Sequence, residues 1–128
     1  MKITMMKVLN IREELDALFT KDIPIRASWK ISKFIRQIED EYNDFRRNRT
    51  KIQDKYIDKT IGKVPEDKLE LFRNDIEDLL DVEVELNVEP IDIKELGDVS
   101  MPPLALAKMA FMFSETIEEP IPDIENNE

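Results

Sequence analysis

The sequence predicts an α+β fold that is mainly α-helical. One long helix is packed by two or three shorter helices, with a small two- or three-stranded β element. Three observations predict it. Neither Gly nor Pro occurs between Ile25 and Ile61, and Ile31, Ile38, Phe45 and Ile52 recur every seven residues there. The apolar period then switches from helical to alternating at Val82, Val84, Leu86 and Val88. Finally, 128 residues with 41% hydrophobic and 38% charged side chains suit one modest core.

The elements follow in chain order. Val8, Ile11, Leu15 and Leu18 mark a short amphipathic helix ending near Phe19. Lys21–Pro24 is a connector, because proline biases the residue before it toward extended geometry. The long helix is expected from about Ala27 to about Tyr56, a rod of roughly 45 Å at the α-helical rise. Its second row by sevens is Ile35, Tyr42 and Tyr56, interrupted by Arg49. Such a rod either folds against its neighbours or lends a seam to another chain.

Gly62 and Pro65 mark a loop, and Pro65 suits the first turn of a next helix. Glu66 and Asp67 complement the positive end of that helix. Leu69, Phe72, Ile76, Leu79 and Leu80 form its apolar stripe, and it should end near Asp81. The strand over 82–88 has an acidic outer face that includes Glu83 and Glu85. Ile91–Lys94 offers a second, shorter strand, and Lys2–Thr4 is an alternative partner. After a turn at Gly97-Asp98, Ser100 can cap a last helix with Pro102 and Pro103 in its first turn. Leu104, Leu106, Met109, Phe111, Met112 and Phe113 make that helix apolar nearly all round, which suits either burial or docking. Residues 1–113 read as a single α+β domain. Residues 114–128, with six acids, two prolines and no base, read as an acidic, loosely ordered tail.

Composition closes most catalytic designs. Cysteine and histidine are absent. That excludes thiol nucleophiles, disulfides, Cys/His zinc sites and His-based triads. There is no Walker loop, dinucleotide fingerprint or EF-hand loop. Asp92-Ile93-Lys94 has the D-x-K form of a metal-dependent nuclease site, but the triplet is short and lacks a third ligand. No catalytic residue, cofactor or metal ligand is assigned, and the chain reads as non-enzymatic. Lys7 breaks any secretory apolar run, and the most apolar stretch, 101–113, is too short to span a bilayer.

Charge is split along the chain. Residues 1–64 hold 15 Lys/Arg and 10 Asp/Glu, whereas 65–128 hold 4 and 19. The bases concentrate at Arg46, Arg47, Arg49, Lys51, Lys55, Lys59 and Lys63. The basic run is a solvated face balanced within the fold, a match for the acidic half of another copy, or a phosphate contact. The net charge of −10 and the lack of any nucleic-acid-binding motif disfavour direct nucleic-acid binding. The candidate interaction residues are therefore Ile35, Tyr42 and Tyr56, the bases Arg46, Arg47 and Arg49, and the acids Glu83 and Glu85.

One resemblance bears on these features. A short Leu-rich helix and the Ile23-Pro24-Ile25 entry precede the long charged helix. Then come Phe72 to Leu86, Pro90-Ile91-Asp92-Ile93, Leu96-Gly97-Asp98 and a Pro-containing start to a final apolar helix. This order resembles a family of short uncharacterised proteins of tailed bacteriophages and prophages, over most of residues 5–113. The resemblance implies a viral origin, a host-cytoplasm or virion location and a small accessory role, and supplies no catalytic residues. The expected function is a protein–protein interaction module, a small structural or assembly subunit. Its partner would be itself, as a homo-oligomer, or another phage or host protein, with no membrane involved. The alternative is an acidic inhibitor of a host nucleic-acid enzyme or defence protein, acting by carboxylate display.

Overall fold

The computed structural model describes residues 1–113, and the acidic tail expected over 114–128 lies outside them. The described residues form four α-helices and a two-stranded antiparallel sheet, so the mainly helical α+β expectation holds. The chain forms two compact units. One comprises Met1–Leu9 and Gln37–Leu86; the other comprises Asn10–Arg36 and, of the described residues, 87–113.

Strand β1 (Lys2–Thr4) leads directly into helix α1 (Met5–Phe19). The helix starts three residues before its apolar pattern because the Thr4 hydroxyl accepts from the Lys7 N–H at 3.3 Å. Val8, Ile11, Leu15 and Leu18 are all buried, as their spacing requires. Helix α2 (Ile25–Tyr56) begins just after Pro24, whose carbonyl accepts from the Ser28 N–H. Its 32 residues make a rod of about 48 Å. Ala27, Ile31, Phe34, Ile38, Phe45 and Tyr56 are its buried side chains. Phe34 fills the i+3 position between Ile31 and Ile38, which counting by sevens passes over.

In the first unit, the end of α2 is closed by the Asp58–Lys63 bridge, with Gly62 at φ 75°. Pro65 stands before a 3₁₀ turn (Glu66–Lys68) instead of inside a helical turn, and helix α3 (Leu69–Leu80) follows. Asp81 is its C-cap, where the apolar stripe ends. Strand β2 (Glu83–Glu85) pairs with β1, matching Lys2 to Glu85, Ile3 to Val84 and Thr4 to Glu83. Ile3 and Val84 are buried on one face and Glu83 and Glu85 are exposed on the other. The bonds Met5 N–H to Val82 O and Leu86 N–H to Met1 O extend the ladder by one step at each end.

The sheet thus corrects two expectations. The strand is shorter than 82–88, because β1 offers only three residues to pair with. Its partner is the N-terminal segment, not Ile91–Ile93. In the second unit Ile91 makes only an isolated parallel bridge to Phe113. Ile93–Leu96 is a 3₁₀ turn held by a capping box: the Asp92 side chain accepts from the Lys94 N–H, and Glu95 accepts from the Asp92 N–H. The same box removes Asp92-Ile93-Lys94 from the strand geometry that a nuclease site would need.

Gly97 turns the chain at φ 73°, close to the Pro24 ring. Ser100 is not a cap. Helix α4 (Pro103–Met109) is capped at Pro102 and passes into a 3₁₀ turn (Ala110–Met112). Its apolar character is divided: Met109, Met112 and Phe113 are buried, whereas Leu104 is 68% exposed.

Candidate interaction surface

The bases of α2 do not form one cluster. Successive helical residues are about 100° apart, so Arg49, two positions beyond Arg47, points roughly 160° away from it, although it lies only three positions from Arg46. Asn43, Arg46, Arg47, Thr50, Lys51 and Asp54 line one open hollow of about 700 Å³. Arg47 is ion-paired to Asp44 one turn earlier on the same helix. Arg46 and Lys51 have no ion-pair partner among the described residues. The Arg46 guanidinium lies over the Tyr42 ring at 5.9 Å, which keeps its aliphatic stem against the helix.

Arg49 is half-buried over the Phe45 ring at 5.5 Å, with no hydrogen-bond acceptor for its Nε among the described residues. It belongs to the packing of α2. The expected seam of Ile35, Tyr42 and Tyr56 is divided as well. Ile35 and Tyr42 are half-buried, and Tyr42 stacks on Phe45 with centroids 6.4 Å apart. Tyr56 is buried inside its unit against Phe72 and Asp75.

The two strand acids differ in what they touch. Glu85 takes the Met1 ammonium at 2.8 Å, and that hydrogen bond lowers its pKa from the usual carboxylate value. Glu83 stands exposed beside it.

Three features escape the pattern of sevens. Trp29 is 64% exposed and Ile25, one turn earlier, is 81% exposed. The Lys33 ammonium covers the indole at 4.8 Å. Trp29, Lys30, Lys33, Asn87, Val88 and Glu89 line a hollow of about 230 Å³. The third feature is the outer face of α3, where Leu71 is exposed and ringed by Asp67, Glu70 and Asp78. The signal for Leu71 was present: it falls off the stripe of Leu69, Phe72 and Ile76, so it cannot face the same way.

Among the described residues no group of three or more Asp, Glu, His or Cys gathers to hold a metal ion, and no helix is long and apolar enough to cross a membrane. The described surface sets large exposed apolar side chains, Ile25, Trp29 and Leu71, beside charged ones. Set against family models, curated proteins and solved structures, the chain matches none of them.

Proposed function

We propose that this chain is a non-enzymatic protein–protein interaction module that serves a phage as a small structural or assembly subunit. The observation that carries the reading is the exposure of Trp29 and Ile25 at the head of α2, with Lys33 over the indole. Tryptophan is among the residues that dominate binding energy at interfaces, because it buries a large area and retains an N–H to pair. Leaving one in water on a rigid helix stabilises nothing in the isolated fold. The viral setting rests on the sequence resemblance alone.

Trp29 is the only tryptophan, so its emission reports on this surface directly. The expected result is a shift to shorter wavelength when the chain is assembled with the proteins encoded beside it. Trp29→Ala should abolish that assembly with an unchanged circular dichroism spectrum. Turnover of a substrate by the purified chain, lost on changing one carboxylate, would overturn the reading. A second reading, carboxylate display toward a nucleic-acid-binding host protein, is favoured by exposed Glu83 and by the acids of α3. It predicts competition by a DNA duplex for the same partner.

A further inference from the structure

We infer that the basic face of α2 docks the acidic face of α3 from a second copy of this chain, and that the contact is reciprocal. This names the partner of the interaction module proposed above and rests on that reading. The two faces are alike in kind and extent. The first runs from Asn43 to Asp54 and carries Arg46, Arg47 and Lys51 around an open hollow. The second runs from Asp67, in the 3₁₀ turn before α3, to Asp78 on α3, the same number of residues, so the two are of similar length, roughly 17 Å. It carries Asp67, Glu70, Glu77 and Asp78, all exposed, around the apolar side chain of Leu71.

Neither face is fully paired among the described residues. Among the described residues, none of Asp67, Glu70, Glu77 and Asp78 is in an ion pair, and neither is Arg46 or Lys51. At the end of α3, Glu77 and the C-cap Asp81 are four apart, so these neighbouring carboxylates repel. An approaching cationic face relieves that repulsion, and the arginine and lysine stems around the hollow accept Leu71.

Both faces belong to one compact unit. Tyr56 ties them together through its contacts with Phe72 and Asp75, so one face cannot drift from the other. A surface that holds a patch and its complement in fixed relation satisfies the requirement for a two-fold contact, in which each copy gives what it receives. Symmetry then doubles every charge pair.

The experiment uses two full-length charge-reversed variants, Arg46→Glu/Lys51→Glu and Glu70→Lys/Asp78→Lys, with folding checked by circular dichroism. Mass is read by sedimentation equilibrium at low salt. Wild type should give twice 15.1 kDa. Each variant alone should associate at least about tenfold more weakly, because like charges now meet. An equimolar mixture of the two should recover the dimer, since both of its contacts are again complementary. A wild-type chain that stays monomeric, a dimer that survives both reversals, or a mixture that does not pair overturns the inference. Binding of a DNA duplex by the Arg46/Lys51 face of a monomeric wild type would do so as well. A monomer whose Trp29 still shifts on assembly with another protein removes self-pairing and leaves the interaction module standing.

Discussion

The Tyr56 hydroxyl donates a 2.7 Å hydrogen bond to Asp75 Oδ2, and the same ring meets Phe72 edge-on with centroids 6.2 Å apart. One side chain at the last turn of α2 therefore holds α3 by a polar and an apolar contact at once. The neighbouring Lys55 ammonium lies over the Tyr56 ring at 5.1 Å and 3.5 Å from Asp75 Oδ2, and its pKa is raised, first by Tyr56 and then by Asp75. Tyr56→Phe keeps the ring and loses the bond, and should cost about 1–2 kcal/mol in urea unfolding. Tyr56→Ala loses both and should cost about 3 kcal/mol or more. Equal losses for the two variants would place all of the stabilisation in the hydrogen bond.

Lys30 fastens the capping box of the 3₁₀ turn to α2, with its ammonium 3.0 and 3.2 Å from the two Glu95 oxygens. The Lys30 bond, then the Asp92 N–H, lowers the Glu95 pKa below the usual 4.5. A carboxyl whose folded pKa is depressed adds stability above its unfolded pKa and loses it as pH falls through the folded value. Wild type should therefore lose stability relative to Glu95→Gln as pH drops below 4.5, the gap being full at neutral pH. A gap that is the same at pH 3 and pH 7 would contradict this.

Glu41 has the opposite sign. Burial, then the charges of Asp44 and Asp40, raises its pKa above 4.5. The folded state holds that proton more tightly than the unfolded state does, so the contribution favours folding in acid and is lost as pH rises through the folded value. Glu41→Gln should stabilise the protein at neutral pH by a few tenths of a kcal/mol, roughly the size of a like-charge pair on a helix. The gain should vanish below pH 4.5.

Phe34 and Trp29 are aromatic residues of the same helix with opposite fates. Phe34 is fully buried, and Phe34→Ala should cost about 3–5 kcal/mol. Trp29 is largely in water, and Trp29→Ala should change stability by no more than about 0.5 kcal/mol. Emission from the isolated chain should be that of a solvated indole, quenched freely by acrylamide. Protection of Trp29 in a monomer would contradict the structure at this point.

Much of the architecture was readable because it rests on local periodicity and on proline and glycine. The apolar spacings of α1 and α2 give their buried faces and that of α3 a half-buried one, and Asp81 ends α3 where the stripe ends. The sheet was harder. Alternation marked Val82–Val88 as extended, but strand length depends on the partner, and β1 has three residues to give. Ile91–Lys94 looks extended by composition, yet Asp92 and Glu95 satisfy its backbone locally and curl it into a 3₁₀ turn. The interaction surface was only half legible. Arg46 and Arg47 were found as a charge run, but adjacency in sequence hid the turn of the helix that carries Arg49 to the side opposite Arg47. Tyr56 looked like seam and is core, because what lies opposite it is α3, some sixteen residues further along the chain. The acidic face of α3 was visible as composition, and Leu71, off the apolar stripe, is exposed among its acids.

Reciprocal pairing of α2 with α3 is tested most directly by sedimentation equilibrium of the equimolar mixture of Arg46→Glu/Lys51→Glu with Glu70→Lys/Asp78→Lys. Pairing predicts a species of twice 15.1 kDa in the mixture and single chains in each separate solution. A mixture that sediments as single chains would contradict it.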